Sequence, residues 1–381
     1  MDGIYFPGLH IFFEKVISYI RIFKFDITIY AIVITLGFVL ALFVAMKEAK
    51  RTGQNDEDYL DFFLVLIIPA IVGARLYYIL FNLGRFIEPG KSFGATIIDM
   101  VNVRNGGLAV YGGLIAGVTA GAIFAKKKKL YFPLFGDTIT MGVLVGQILG
   151  RWGNFFNREA FGAFTDGPLR MAIPVEYYSD RFLSHLTSEG VITSEMWANL
   201  ETVKGVPCFT VHPTFLYEGL WNTALLIGLF LYRKHKKFDG EMSMIYIAGY
   251  GLGRFWVEAL RTDSLMIGPL KVSQVVAILC VIVAVGVIIK NRLDIKRGKE
   301  PKINYVPARE DDEDEETEDD EDIEGDLVEE VDEDSESDEI DTETSEGEDI
   351  EEDLEENEEI EKEIDEIEEK DKKVDESGEE D

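Results

Sequence analysis

Seven apolar stretches of about 20 residues recur between residues 27 and 289 of this sequence. A helix of that length crosses the hydrocarbon core of a bilayer. The sequence therefore predicts an all-α, polytopic integral membrane protein with about seven transmembrane helices. The predicted spans cover residues 27–46, 60–81, 106–125, 138–156, 214–232, 242–260 and 272–289. The fourth and sixth carry charged residues, so a re-entrant or interfacial segment is the alternative at one of these two positions.

Charge divides the chain into two parts. Of 71 acidic and 37 basic residues, residues 310–381 hold 46 acidic and 4 basic ones. Such a run of like charge cannot bury enough apolar surface to fold alone. We predict an N-terminal interfacial segment at 1–26 that is helical over 11–23, a transmembrane body at 27–300, and a disordered acidic cytoplasmic tail at 301–381. This division argues against a water-soluble enzyme.

Clusters of lysine and arginine follow the first, third, fifth and seventh predicted spans. They begin at Lys47, Lys126, Arg233 and Lys290. In a seven-span chain these positions share one side of the membrane. Short loops rich in positive charge stay in the cytoplasm, so we predict the N-terminus outside and the C-terminus inside. The connection at 157–212 then lies outside, as a head segment over the outer leaflet.

Charged side chains within the sixth predicted span mark a candidate site, because charge at membrane depth is costly. Tyr250, Arg254, Glu258 and Arg261 share one helix face. That face must meet protein, water or an anionic ligand. The alternative is an internal ion-pair network in which Glu258 bridges both arginines.

The end of the fourth predicted span carries a second polar group. Arg151, Asn154 and Arg158 recur at helical spacing, followed by Glu159 and Gly162. The planar donor fork of arginine suits a phosphodiester. Asn154 and Glu159 suit glycerol hydroxyls or orientation of the arginine. The alternative is plain helix packing, with the charged ends reaching the membrane surface.

Three further residues are candidate site residues, and each also has a purely structural interpretation. His212 opens the fifth predicted span as either a base or a structural histidine. Tyr111 lies among glycines, which usually indicate close helix packing. Tyr30 is either a site hydroxyl or an interface anchor.

The strongest motif in the chain reads Gly150-Arg151-x-Gly153-Asn154-Phe155-x-Asn157-x-Glu159-x-x-Gly162. It resembles the signature of the prolipoprotein diacylglyceryl transferase family. The supporting matches are His212-Pro213-Thr214-x-Leu216-Tyr217-Glu218, Tyr250-Gly251-x-x-Arg254-x-x-x-Glu258-x-x-Arg261 and the stretch 107–114. The resemblance covers approximately residues 20–295 and leaves out the acidic tail.

This resemblance implies transfer of the diacylglyceryl group of phosphatidylglycerol to the thiol of a lipobox cysteine in a secreted prolipoprotein. The implied products are a thioether-linked precursor and glycerol phosphate, in the first step of bacterial lipoprotein maturation. It implies a location in the bacterial plasma membrane, with the active site toward the outer leaflet. The implied partners are phosphatidylglycerol and prolipoprotein signal peptides, without nucleic acid, metal or cofactor.

The resemblance also assigns roles to residues. It implies that Arg151 and Arg254 hold the phosphate and headgroup, which fits the need to stabilise a leaving phosphate. The remaining implied roles are a signature pocket shaped by Asn154, Glu159 and Gly162, an arginine network formed or oriented by Glu258 and Arg261, and lipid or headgroup contacts from Tyr30 and Tyr250.

One departure from the family concerns the base. Many members have a histidine before Gly-Gly-Leu, where this chain has Tyr111. A phenol has a reference pKa of about 10 and is a poor base unless a neighbouring arginine lowers it. Tyr111 acts as such a base, hydrogen-bonds the substrate, or leaves the proton to His212, water or the leaving phosphate.

Two other classes of function stay open from the residues alone. A phospholipid or anion transporter should place polar residues near the midplane, often with inverted repeats. A membrane scaffold would use the acidic tail to recruit basic partners. Neither Cys208 nor Cys280 suits a nucleophile, and two cysteines are too few for a disulfide scaffold or a cysteine zinc site. The acceptor thiol therefore belongs to the substrate.

Overall fold

The computed structural model describes residues 3–22, 25–87, 91–103, 106–301 and 303–304 of the protein. Beyond its first residues, the predicted acidic tail lies outside the described residues. The helices are α1 (Ile29–Arg51), α2 (Glu57–Phe81), α3 (Leu83–Phe86), α4 (Phe93–Val101), α5 (Val110–Lys128), α6 (Phe132–Asn157), α7 (Asp180–Ser188), α8 (Ser194–Ala198), α9 (Thr214–Tyr232), α10 (Glu241–Leu260) and α11 (Val272–Lys296). The strands are β1 (Ile4–Phe6), β2 (Ile11–Phe13), β3 (Tyr19–Ile22), β4 (Phe25–Thr28), β5 (Met171–Pro174), β6 (Glu201–Val203), β7 (Val206–Val211), β8 (Met266–Ile267) and β9 (Leu270–Lys271).

Long helices occupy all seven predicted spans, and the protein is a polytopic membrane protein. Within the described part of the chain, five helices are long and apolar enough to cross a bilayer: α1, α2, α6, α9 together with the turn to His235, and α11. The other two, α5 and α10, have 19 and 20 residues. Lysines and glycines reduce the hydropathy of α5, and Arg254 and Glu258 reduce that of α10. The count of seven crossings stays a prediction.

Glycines allow the membrane helices to approach closely. A Cβ atom at Gly142 of α6 would collide with the backbone of Ala41 in α1, and one at Gly112 of α5 would collide with Gly73 of α2. Small residues at these crossings let the helix backbones approach closely. Such close packing stabilises helix association in a membrane, where lipid tails are as apolar as the side chains and the hydrophobic effect contributes little. The pairs α1–α6 and α2–α5 are thereby fixed.

Ion pairs bring the four basic clusters to one end of the body, which we call the basic end. Arg233 lies 2.7 Å from Glu48 at the end of α1. Lys128 at the end of α5 lies 2.7 Å from Asp58 at the start of α2. Arg292 of α11 lies 2.8 Å from the carboxylate of Glu241, where α10 begins. The side of the membrane that this end faces stays a prediction.

An antiparallel sheet at the opposite end shows that the all-α prediction was wrong there. Its strand order is β2-β1-β5-β7-β6, so it joins the N-terminal residues to the connection at 157–212. Tyr5 of β1 pairs with Ala172 of β5, and Met171 pairs with Val211 of β7. We call this sheet and its connecting helices the head.

The helix predicted at 11–23 was also wrong, because residues 11–13 and 19–22 are strands. Isoleucine and phenylalanine at Ile11, Phe12 and Phe13 favour extended backbone, and β2 pairs with β1. Short apolar runs fit a helix or a strand equally well by periodicity alone. The pairing partner therefore decides the structure of this segment.

The apolar core of the head continues into the ends of α6 and α9. Phe155 and Phe215 approach with ring centroids 5.0 Å apart, beside the buried Ile173 and Phe209. This contact fixes the last turn of α6 against the first turn of α9. The head therefore positions the helix ends that carry the candidate site.

Arg158 was predicted on the face of Arg151 and Asn154, but the structure directs it elsewhere. α6 ends at Asn157, and Arg158 adopts a left-handed conformation with φ of 50°. Its guanidinium is buried in the head, where Nη2 donates to the carbonyl of Val16 at 2.8 Å. Helical spacing ceases to apply at the helix end, so Arg158 anchors the head.

Candidate active site

A single buried carboxylate joins the two arginines that the sequence singled out. Glu218 of α9 is 1% exposed. Its Oε1 lies 2.8 Å from Nη2 of Arg151 in α6, and its Oε2 lies 3.2 Å from Nη1 of Arg254 in α10. Tyr250 donates to Oε1 at 3.4 Å. Three helices thus converge on one ion-paired group, which we call the arginine cluster.

Glu258 holds Arg254 from the other side. Its Oε2 lies 2.5 Å from Nη2 of Arg254, one turn away on α10, and its side chain is buried. Arg261 instead pairs with Asp263, at 2.6 Å and 2.9 Å. The alternative network, in which Glu258 bridges both arginines, is therefore correct for Arg254 and wrong for Arg261. α10 ends at Leu260, so Arg261 no longer follows the helical spacing.

The signature segment orients Arg151. Asn154 accepts a hydrogen bond from Nη1 of Arg151 at 3.3 Å and donates to Glu159 at 2.9 Å. Asn157 also donates to Glu159, at 3.4 Å. Of the two functions open to Asn154 and Glu159 from sequence, these contacts support orientation of the arginine.

Gly162 allows the chain to pass between two helix ends. Its N–H donates to the carbonyl of His212 at 2.9 Å, and an added Cβ would lie 2.8 Å from Cβ of His212 and 2.9 Å from the carbonyl oxygen of Leu260. The next residue, Ala163, donates to Leu260 at 2.7 Å. Gly162 therefore ties the start of α9 to the end of α10, the helix that carries Arg254.

His212 lies at this junction rather than in the arginine cluster. Its Nδ1 lies 3.3 Å from the hydroxyl of Tyr217. Burial lowers the pKa of His212, so the neutral imidazole is favoured at neutral pH. No contact within the described chain joins His212 to Arg151 or Arg254.

Tyr111 of α5 lies near the arginine cluster. Its hydroxyl lies 2.9 Å from Oγ of Ser273 at the start of α11. It is also near enough to Arg254 for the two groups to interact electrostatically. Tyr30 of α1 packs its ring against Gly153 and interacts with the charges of Arg151 and Glu159. Both tyrosines therefore belong to the surroundings of the arginines.

Arg75, which lies in the second predicted span, holds the loop that leads to Tyr111. Its guanidinium donates to five backbone carbonyls at 2.6–2.9 Å. These belong to Asp99, Met100, Asn102, Gly106 and Gly107. One buried side chain thus satisfies the end of α4 and fixes the entry to α5.

Glu218 is the functional residue that sequence reasoning missed. It was present in the motif that opens the fifth predicted span, but it received no role. The signal was available, because a glutamate in an apolar helix is costly unless paired. Within the described residues, no group of three histidine, cysteine, aspartate or glutamate side chains could hold a metal ion.

Comparison with known proteins identifies related sequences. The sequence model of the prolipoprotein diacylglyceryl transferase family matches residues 18–290. A phosphatidylglycerol–prolipoprotein diacylglyceryl transferase of Clostridioides difficile is 38% identical over 261 residues, which are 68% of this chain and 89% of the relative. Enzymes of the same name from Bacillus cereus and Bacillus anthracis are 37% and 36% identical over 283 residues, 74% of this chain and 93% of each relative.

Proposed function

The chain belongs to the prolipoprotein diacylglyceryl transferase family, and from this premise we propose that its arginine cluster is the site of diacylglyceryl transfer. The protein is a transferase that uses phosphatidylglycerol and prolipoproteins, in the first step of lipoprotein maturation. The transporter alternative loses its basis, because the family match at residues 18–290 covers nearly all of the transmembrane body.

We propose that Arg151 and Arg254 bind the phosphate of phosphatidylglycerol. The observation that carries this proposal is that one buried carboxylate, Glu218, fixes two arginines from different helices. Each arginine side chain keeps 19% of its surface exposed. Donors that are already oriented stabilise developing charge without reorganisation during the reaction.

The proposed reaction is displacement at carbon. The thiolate sulfur of the lipobox cysteine attacks the glycerol CH₂ that carries the phosphate ester, and a carbon–sulfur bond forms. The carbon–oxygen bond breaks, and its electron pair leaves with glycerol phosphate. The thiol proton passes to water or to the leaving phosphate monoester, whose second pKa is about 6. Arg151 and Arg254 stabilise the charge that develops on the leaving oxygen.

Tyr111 and its partner Ser273 have a proposed positioning role in this reaction. The Tyr111 hydroxyl lies near Arg254 and contacts Oγ of Ser273 at 2.9 Å. A hydroxyl in this place can hydrogen-bond the incoming thiol or the phosphate. Asn154 and Glu159 orient Arg151, while Tyr30 and Tyr250 line the same group. Gly162 and His212 support it from the junction of α9 with α10.

We further propose seven crossings, and strand pairing supports this count. β1 and β5 belong to one sheet, so they lie on one side of the membrane and an even number of crossings separates them. Between them α1, α2 and α6 are apolar enough to cross, so α5 supplies the fourth crossing. The backbone of Arg261, which follows α10, forms an antiparallel β-bridge with Gly162 on the head side. After α9, α10 therefore crosses back to the side of the head.

The proposed orientation follows from charge. The basic end faces the cytoplasm because positively charged loops are retained there. The N-terminus and the head then face outward, and Arg151 and Arg254, close to the head ends of α6 and α10, lie toward the outer leaflet. A secreted prolipoprotein meets the site on that side.

The direct test is transfer by the purified full-length protein in detergent. It is incubated with phosphatidylglycerol and a lipobox peptide, and peptide mass and glycerol phosphate release are both measured. We expect the peptide to gain one diacylglyceryl group only when its cysteine is present. Arg151→Ala should reduce transfer by at least about a hundredfold, as for loss of one donor to a developing charge.

The matched control is Arg170→Ala in the head. Arg170 forms a surface pair with Glu201 at 2.7 Å, so its loss should leave transfer unchanged. Equal losses in the two variants, or normal transfer by folded Arg151→Ala, would contradict the phosphate-site proposal.

A further inference from the structure

The polar residues of the arginine cluster are repeated one helical turn toward the basic end. Four residues from Arg151, Glu218 and Tyr250 along their helices lie Gln147, Asn222 and Tyr246. Residues four apart share a helix face, and the rise between them is about 6 Å. We call Gln147, Asn222 and Tyr246 the lower layer.

A contact joins two members of the lower layer, and helix geometry places Asn222 at their level, one turn from Glu218. α6 and α10 both run antiparallel to α9, as the core of Met141, Leu144, Leu229 and Met242 indicates. Nε2 of Gln147 donates to the hydroxyl of Tyr246 at 2.8 Å. The ring of Tyr246 stacks on that of Tyr250, with centroids 5.8 Å apart. The lower layer is therefore continuous with the arginine cluster.

The lower layer contains buried polar atoms that the protein does not satisfy. Asn222 is 0% exposed, and neither its Nδ2 nor its Oδ1 has a hydrogen-bond partner among the described residues. The same holds for Oε1 of Gln147. Gln147 and Tyr246 keep part of their surface accessible. Buried amides without partners are rare in native proteins and call for an explanation such as a ligand or a water molecule.

A phosphodiester bound at the arginines has a second ester group, which carries the headgroup. The two ester oxygens of a tetrahedral phosphorus diverge, so when the diacylglyceryl ester faces the attacking thiol, the headgroup ester points elsewhere. We propose that the lower layer binds the glycerol headgroup of phosphatidylglycerol through its two hydroxyls. This inference rests on the function proposed above for the arginine cluster.

The chemistry of the lower layer suits a neutral polyol. A hydroxyl both donates and accepts, so it can satisfy amide oxygens and an amide NH₂ together. An ethanolamine ammonium only donates, and it would lie one turn from two guanidinium groups without a carboxylate in the layer. Sites that hydrogen-bond a substrate hydroxyl discriminate strongly against analogues that lack it, because their polar groups are then left unpaired. The lower layer is therefore a specificity site.

The test compares two lipids that differ only in the headgroup hydroxyls. Dioleoyl-phosphatidylglycerol and dioleoyl-phosphatidylpropanol share the acyl chains, the phosphodiester charge and the headgroup carbons. The ratio of their kcat/KM values for transfer to a lipobox peptide is measured with the full chain. We expect the unmodified protein to prefer phosphatidylglycerol by about tenfold or more. Asn222→Leu and Tyr246→Phe should lower transfer from phosphatidylglycerol and leave transfer from phosphatidylpropanol within about twofold, so that the preference is lost.

The control variant is Asn291→Leu, which makes the same substitution in α11 near the basic end. It should keep the preference for phosphatidylglycerol over phosphatidylpropanol. Folding is checked by thermal unfolding in detergent; leucine in place of an unpartnered buried amide should not lower stability. Equal transfer from both lipids by the unmodified protein, or an equal loss for both lipids in Asn222→Leu, would overturn the inference. Failure of the unmodified protein to use either lipid would instead refute the proposed function.

Discussion

At the scale of the residue, the arginine cluster is charge-balanced before any substrate binds. Arg151 and Arg254 are matched by Glu218 and Glu258, all within ion-pair distance. The two guanidinium groups can therefore lie near each other without net repulsion. On the proposed function, the cluster recognises the phosphate by oriented hydrogen bonds rather than by an excess of positive charge. Discrimination between lipids then depends on how well the headgroup fits.

Tyr111→Phe tests the role of the hydroxyl that replaces the family histidine. We expect turnover to fall by about tenfold or more, because a hydrogen bond from this hydroxyl to a charged thiolate or phosphate is worth about 1.5–3 kcal/mol. Lipid binding should change less, since the phenylalanine ring keeps the packing. Turnover and KM for phosphatidylglycerol are measured separately.

Ser273→Ala serves as the comparison, because it removes the same hydrogen bond from the other side. If the Tyr111 hydroxyl touches substrate, Ser273→Ala should lose less turnover than Tyr111→Phe. Identical losses would assign Tyr111 a purely structural role, and a Tyr111→Phe variant with the parent rate would remove it from the chemistry.

Sequence reasoning found Arg151, Arg254 and Glu258 because a charge in an apolar helix requires a partner. The same reasoning applied to Glu218 would have found the residue that joins the arginines. Arg158 was misplaced because the helix ends one residue earlier, and no local pattern signals a left-handed residue there.

At the scale of the element, the loop between α4 and α5 depends on one side chain. Arg75 donates to five backbone carbonyls at the end of α4 and at the entry to α5. Arg75→Lys keeps the charge but loses the planar fork. We expect the free energy of unfolding to fall by about 1–3 kcal/mol, because buried carbonyls lose partners. Thermal unfolding in detergent measures this change.

A nearby conservative change is the control for Arg75. Arg85→Lys alters an exposed arginine whose Nη1 lies 3.0 Å from the hydroxyl of Tyr78. It should change the free energy of unfolding by less than about 0.5 kcal/mol. If Arg75→Lys unfolds at the same temperature as Arg85→Lys, the proposed support of the loop is wrong.

The elements differ in how far the sequence predicts them. The long helices follow from apolar length, a local property, and the predicted spans overlap all seven of them. The head follows from pairing between residues 4–13 and 171–211, which no local pattern reveals. Residues 11–13 illustrate the difference, because their apolar character was clear but their partner strand was not.

At the scale of the whole molecule, the described site residues lie between Tyr30 and Ser273, and the family match ends at residue 290. Truncation after Asn304 keeps the hydrogen bond that the backbone N–H of Asn304 donates to the carboxylate of Asp239. We expect the truncated protein to transfer diacylglyceryl groups at the rate of the full chain, within about twofold, since the removed residues lie outside the family match and include no site residue. Parallel assays of both purified proteins measure this, and a large loss would assign the acidic tail a part in catalysis.

The sheet of the head also constrains the order in which the molecule can be completed during its synthesis. β1 and β2 are made first and pair with each other, but the strand on the other side of β1 is β5, which follows four long helices. Contacts between residues so distant in sequence form late, because the intervening chain must be ordered first. The first strands translated therefore wait, with an edge unpaired, until residue 174 has been made and has reached the same side of the membrane.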